Sequence, residues 1–228
     1  MMREGEKTPP QPHKEMYATS SRPYEAYEAL LGIDEDEVRG KDVLDLGSGD
    51  ELQFARGLRE RGVGTRVVSL NPQFAEKEKW GPALREAARG ERAVAGIARA
   101  QPFRDESFDR VYSLYAIPTW LPNEPTEYAR AFREIDRILR PGGEAVLFPV
   151  DDFAAKENQD AHDALAARRA MLRDAVLELE KRGYAVSVEP VGAEESRRYG
   201  GLYTGERWMK RLRLKKPIRG GNEYGASF

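Results

Sequence analysis

The sequence predicts an α/β fold: a doubly wound, mostly parallel seven-stranded sheet that ends in an antiparallel hairpin. Three observations predict it. Short apolar runs alternate with segments of helical period through the middle of the chain. The first run, VLDL, closes on Gly47-Ser48-Gly49, a tight turn before a helical stretch. The last two runs, YAVSVEPV and RWMKRLRL, have no helical segment between them, which predicts an antiparallel pair on a parallel sheet.

Taken in order, residues 1–15 read as a disordered tail, 16–218 as a single domain and 219–228 as a glycine-rich flexible tail. Arg22 to Leu31 predicts a short helix with Tyr24, Tyr27, Leu30 and Leu31 on one face, and the two tyrosines are candidates for a lid. After the first strand, ELQFARGLRERG places Leu52, Ala55 and Leu58 at helical spacing and stops at Gly62. TRVVSL is a second strand that breaks at Asn71-Pro72. Gln73 to Arg89 is helical but kinked or split by Gly81-Pro82. AVAGIA and FDRVYSLYAI are the third and fourth strands. The clearest helix carries Tyr128, Phe132, Ile135 and Leu139 after Thr126 as N-cap, and Pro141-Gly142-Gly143 ends it. EAVLFPV is the fifth strand, and Asp160 to Gly183 a long helix.

Composition excludes several classes of chemistry. The 228 residues contain no cysteine, which removes disulfides, thiol nucleophiles and zinc–thiolate sites. Only His13 and His162 offer imidazole, and they are far apart in sequence, so no metal site is expected. A net charge of -2 with 33% charged residues gives no bulk attraction to nucleic acid or anionic lipid. No apolar stretch approaches the roughly 20 residues needed to span a membrane, and a cytoplasmic location is expected.

Glycine between strand and helix lets the backbone turn sharply and brings a ligand near helical N–H groups. That alone fits many α/β proteins, with or without a ligand. Asp45-Leu46-Gly47-Ser48-Gly49, however, resembles the first motif of class I S-adenosylmethionine (SAM) methyltransferases, an acid followed by Gly-x-Gly-x-Gly. Gln101 to Asp109 (QPFRDESFD) is similar to that family's approach to its fourth strand, "LPFxDxSFD". Arg137 to Gly143 (RILRPGG) is similar to its "RxLKPGG" turn. The three occur in the family's order.

The resemblance implies a Rossmann-like fold and SAM as cofactor. It implies that Asp45 helps hold the methionine amino group, with Gly47, Ser48 and Gly49 at the methionine and ribose end. It places Asn71 where the family has a ribose-binding acid, and Ile97 with Ala98 at the adenine edge. Glu51 replaces the third glycine, and reads either as a helix-start residue or as a side chain entering the site. An amide at Asn71 lacks the charge that strengthens a bond to a hydroxyl, so Asn71→Asp is expected to preserve or tighten SAM binding. Isoleucine at 97 accepts no hydrogen bond, which leaves the backbone near Ala98. Together these departures imply an affinity loss of tens- to hundreds-fold, at roughly 1 kcal/mol for each neutral bond.

Substrate contacts are expected after the fourth and fifth strands, from Ser113, Tyr115, Thr119, Trp120, Asp151 and Asp152, with Tyr115, Trp120 and Asp151 the chosen set. Tyr112 and Tyr128 read as core. Methyl transfer needs mainly positioning, and a base such as Asp151 or Tyr115 matters only for an acceptor that must lose a proton; no catalytic residue is assigned. The basic C-terminal region, including Arg197, Arg198, Arg207, Lys210, Arg211 and Arg213, reads as a charged edge strand, with nucleic-acid binding the minor alternative. The leading function is methyl transfer to a small molecule or a partner-presented group. The rival is a catalytically silent relative used for binding or assembly, and a nucleic-acid methyltransferase ranks third.

Overall fold

A computed structural model describes residues 22–150, 159–199 and 210–218. The expected tails and the candidates Asp151, Asp152 and Arg207 lie outside the described residues, and the side chain of Arg197 is likewise not described. In chain order the elements are α1 (Tyr24–Leu31), α2 (Glu35–Val38), β1 (Asp42–Leu46), α3 (Gln53–Glu60), β2 (Arg66–Leu70), α4 (Pro82–Gly90), β3 (Arg92–Val94) and β4 (Phe108–Leu114). They continue with α5 (Pro125–Ile138), β5 (Leu139–Phe148), α6 (Gln159–Glu180), β6 (Ala185–Pro190), α7 (Ala193–Tyr199) and β7 (Lys210–Lys215). The seven strands form one sheet in the order β3-β2-β1-β4-β5-β7-β6. β1 to β5 run parallel, and β7 is antiparallel to both its neighbours. No helix among the described residues is long and apolar enough to cross a membrane.

Strand alternation sorts the core into two layers. Leu44, Leu46, Val111, Ala145, Leu147, Leu212 and Leu214 face α5 and α6, where Phe132, Ile135 and Leu179 complete one cluster. Val43, Val67, Tyr112, Val146 and Phe148 face α1 and α3. There Phe54 lies between Tyr27, with ring centroids 4.9 Å apart, and the edge of Tyr112 at 5.6 Å. Tyr112 and Tyr128 are buried, as expected of core residues. Tyr24 is no lid: it is buried against Gly57, where an added Cβ would come within 2.4 Å of it.

The second and third motifs are tied to each other. The Arg137 guanidinium donates to the carbonyls of Phe103 (2.7 Å) and Gln101 (3.1 Å) and pairs with Asp105 and Glu134, each at 2.8 Å. Asp109 accepts from the Asp42 backbone N–H and from Arg140, each at 2.8 Å, which pins the start of β4 to β1. Arg137→Met leaves two carbonyls without their charged donor. It is expected to cost about 2 to 3 kcal/mol, seen as a lower urea midpoint at unchanged slope.

Several boundaries differ from the sequence reading. α5 starts at Pro125 after Glu124, not after Thr126, because proline at the first helical position fixes the right φ. The stretch after Asn71 forms two 3-10 turns before α4, and the split does fall at Gly81-Pro82. β3 stops at Val94, since Gly96 packs against Leu70 and Pro102 in a loop with no room for a Cβ. β5 already begins at Leu139 and runs through Pro141-Gly142-Gly143, with a register shift opposite β4.

The larger corrections concern the last strands. A helix, α7, does intervene between β6 and β7. β7 is not an edge strand but lies between β5 and β6. Its arginines point at α1 rather than at solvent alone. Arg213 donates to the Leu31 and Gly32 carbonyls at 3.3 Å, and both Arg211 and Arg213 pair with Glu189. The charged alternation therefore fastens α1 to the sheet while Leu212 and Leu214 fill the opposite layer.

Candidate functional site

A sheet that runs outward from β1 to β3 and then restarts at β4 leaves a crevice at the carboxyl ends of β1 and β4. A cavity of about 380 Å³ sits there, within the range of small-ligand sites. Its walls are residues 46–49 after β1, 70–73 after β2, 96–99 after β3, and 114–117 with 119–122 after β4, closed by Arg22 and Tyr27 from the α1 side. Of the cofactor candidates, Gly47, Ser48, Gly49, Asn71, Ile97 and Ala98 all line it, as do Tyr115 and Trp120 of the substrate set.

Gly47 has a positive φ of 86°, and a Cβ there would lie 2.1 Å from that of Ala116. Glycine thus lets the β1 turn touch the β4 turn. The Gly47 and Ser48 N–H groups both donate to the Leu70 carbonyl, at 2.8 and 3.2 Å. α3 begins only at Gln53, after Leu52 in the left-handed region, so the glycine turn does not open directly onto the helix as the sequence suggests. Glu51 accepts from the Gln53 side chain at 2.6 Å and does not line the cavity, which matches its helix-start reading. Ser48 lines the cavity, and its hydroxyl is buried with no hydrogen-bond partner among the described residues.

Asp45 sits one layer behind, on the α1 side of the sheet, in register with Ser69 of β2 and Tyr112 of β4. It is 1% exposed, and neither carboxylate oxygen has a partner among the described residues. Burial pushes its pKa up to about 8. Tyr27 lines the cavity, and burial chiefly holds its phenol well above the ordinary tyrosine pKa, with Asp45 adding to the rise and Arg22 opposing it.

The Asn71 side chain is committed at both ends. Its Nδ2 donates to the Ser48 carbonyl, and its Oδ1 accepts from the Gln73 N–H at 2.9 Å, capping the 3-10 turn Pro72–Ala75. Ile97 is 37% exposed at the rim, and the Ala98 carbonyl accepts from Gln101 Nε2 at 3.0 Å.

At the β4 end Tyr115 adopts a positive φ of 57°, costly for a residue with a large side chain. Its N–H donates to the Phe148 carbonyl at 2.6 Å and its ring meets Phe148 edge-on. The Arg22 guanidinium lies over that ring, 3.8 Å from the centroid. Arg168 from α6 donates to the Thr119 and Leu121 carbonyls at 2.9 and 3.1 Å, which holds this loop in place. Ser113 is structural: buried, it donates to the Leu46 carbonyl and accepts from the Ile117 N–H. Sequence reasoning missed Arg22, Gln73, Gly96 and Arg99 as lining residues. Arg99 stands beside the chosen Ile97-Ala98 pair, whereas Arg22 reaches the site only through folding.

This sheet order with a cavity at its switch point defines the class I methyltransferase fold. Residues 44–147 match a family model described as a methyltransferase domain, and that segment is the one that resembles the class I SAM-dependent methyltransferases in sequence. A 55-residue stretch is 38% identical to the uncharacterized protein YafE of Escherichia coli strain K12, covering only 24% of either chain. Among solved structures, a geranyl diphosphate C-methyltransferase from Streptomyces coelicolor A3(2), in complex with Mg2+, geranyl diphosphate and S-adenosyl-L-homocysteine, superposes with a TM-score of 0.54 at 14% identity. That match covers 86% of this chain and 78% of the other. A SAM-dependent methyltransferase from Mesorhizobium loti gives 0.51 at 20% identity, covering 81% and 94%. The [4+2]-cyclase SpnF gives 0.52 at 20% identity, covering 85% and 79%. At such identities the likeness is one of fold.

Proposed function

We propose that the chain is a SAM-dependent methyltransferase that binds its cofactor across the ends of β1, β2 and β3 and its acceptor at the end of β4. The observation that carries this reading is the cavity itself. It joins the glycine turn of the first motif to the Tyr115–Trp120 loop at the point where the sheet order reverses. The residues present fit the cofactor at its polar end: the Ser48 hydroxyl is buried without a partner, and Gly47 and Gly49 keep that wall thin. At the other end Ile97 offers an apolar platform, and the backbone around Ala98 the polar edge. When bound, SAM supplies a methyl group carried on an electrophilic sulfonium.

The protein's own part is positioning. Tyr115 and Trp120 orient the acceptor. The 119–122 loop, held by Arg168, fixes its distance from the β1 turn. Acceptors in this reading are small molecules or groups presented by a partner protein, in a cytoplasmic setting. Nucleic acid is disfavoured because Arg211 and Arg213 are engaged by Glu189 and by α1.

One observation favours the silent binding or assembly reading. Both polar ends of Asn71 are spent within the protein, so the ribose position offers less than an acid does. The fold itself does not decide between the two, since SpnF shares it under the name of a cyclase. Thermal unfolding with SAM and with S-adenosylhomocysteine separates them. Ligand at a hundred times its dissociation constant contributes about 2.7 kcal/mol, a shift of several degrees. No shift with either form at millimolar concentration turns the assignment to the silent relative.

A further inference from the structure

We propose that Thr119 selects the acceptor: the β4 end of the cavity takes a small, uncharged and largely apolar molecule, held through one hydroxyl or carbonyl oxygen bonded to the Thr119 hydroxyl. The inference rests on the methyl-transfer reading of the same cavity and names its substrate class.

The first argument is what the loop after β4 leaves over. Its backbone is tied down bond by bond. The Ile117 N–H donates to the buried Ser113 hydroxyl at 2.9 Å, the Trp120 N–H to the Ala116 carbonyl at 2.8 Å and the Leu121 N–H to the Pro118 carbonyl at 3.1 Å. From the other side, Arg168 of α6 holds the Thr119 and Leu121 carbonyls. The Thr119 hydroxyl is the exception. Its oxygen is buried without a hydrogen-bond partner among the described residues, and Thr119 lines the cavity. A buried hydroxyl left unpaired is unfavourable, and a bound group that pairs with it removes that penalty. Because the backbone beneath it is held on both sides, the hydroxyl stays in place and discriminates between ligands instead of following them.

The second argument is what surrounds it. Leu114, Tyr115, Ile117, Trp120 and Leu121, which line this end of the cavity, are apolar or aromatic and uncharged. The charged lining residues come from outside the loop, Arg22 ahead of α1 and Arg99 after β3, the latter bonded to Glu127. Apolar walls around one fixed polar group orient a ligand by that group. A hydroxyl both donates and accepts, so it pairs equally with an alcohol, a phenol or a carbonyl. A carboxylate carries roughly four lone-pair sites, and one hydroxyl serves only one of them, which leaves its charge poorly solvated. A site built to bond an oxygen also rejects the analogue that lacks it, since its own hydroxyl is then unpaired.

NMR titration of the full chain with p-cresol, toluene and p-toluate, each with and without saturating S-adenosylhomocysteine, tests the assignment. p-Cresol is expected to bind more tightly than either of the others. Thr119→Val keeps the shape and removes the hydroxyl. It is expected to cut the advantage of p-cresol over toluene about tenfold, and Thr119→Ser to keep most of it. The melting temperature of ligand-free Thr119→Val is expected to equal or exceed the parent's, because the hydroxyl has no partner to lose. A merely structural threonine lowers the melting temperature and leaves the ratio unchanged. The same p-cresol advantage in parent and Thr119→Val overturns the proposal, as does tighter binding of p-toluate, or no binding of p-cresol under either condition. Thr119-dependent selectivity in a chain that binds no S-adenosylhomocysteine supports the hydroxyl site and overturns the cofactor reading beneath it.

Discussion

Asp45→Asn is expected to raise stability at pH 8 and to flatten its pH dependence below that. The carboxyl's pKa in the folded protein, about 8, is above its ordinary value of 3.8 because burial penalises the charge. The folded state therefore keeps a proton that the unfolded chain releases. Its stabilising share is complete below about pH 4 and is lost as pH rises toward 8, at up to about 1.4 kcal/mol per pH unit. Asparagine stays neutral throughout and removes that slope. Melting curves from pH 5 to 8 check this: the parent loses ground as pH rises and the variant does not. Parallel curves for the two proteins mean that the two carboxylate oxygens are solvated or paired after all.

Asn71→Asp is expected to destabilise the protein by about 3 kcal/mol at pH 7 and to weaken cofactor binding. The sequence alone suggests tighter binding. The difference lies in what Asn71 already does. Its Nδ2 donates to the Ser48 carbonyl in a position only 8% exposed, and aspartate puts a second acceptor against that oxygen. Release of the Ser48 turn then spoils the wall that carries the buried hydroxyl. Protonation restores a donor, so urea midpoints of variant and parent converge as pH falls toward 4. A variant as stable as the parent at pH 7, with tighter S-adenosylhomocysteine binding, returns the ribose role to position 71.

The parallel half of the fold was legible because local patterns specify it. VLDL before a glycine turn, and a helix with Phe132 and Ile135 in register, carry their partners' layer in their own spacing. Six of the seven cofactor candidates line the cavity for the same reason, since strand ends are where a parallel sheet converges. Asp45 does not, because strand alternation turns it to the opposite face from Leu46. β7 was misplaced at an edge because alternating arginines look alike whether they meet water or, as here, Glu189 and the carbonyls of α1. α7 was missed because AEESRRY has little apolar periodicity to show. Arg22 was invisible as a site residue because nothing near it in sequence says that it reaches Tyr115.

The placement of β7 also bears on the order in which a ribosome hands this protein over. β1 to β5 can pair as they emerge, each finding a neighbour already made. β6 cannot, because the strand that joins it to β5 is synthesised after it. Until Lys215 has emerged, β5 keeps an open edge and α1 lacks the arginines that fasten it. A nascent chain held at that stage exposes unpaired backbone for other chains to capture. Stalled or truncated products ending before β7 are therefore natural clients for chaperones and proteases, whereas release of the last strand closes the edge, the core layer and the α1 seam together.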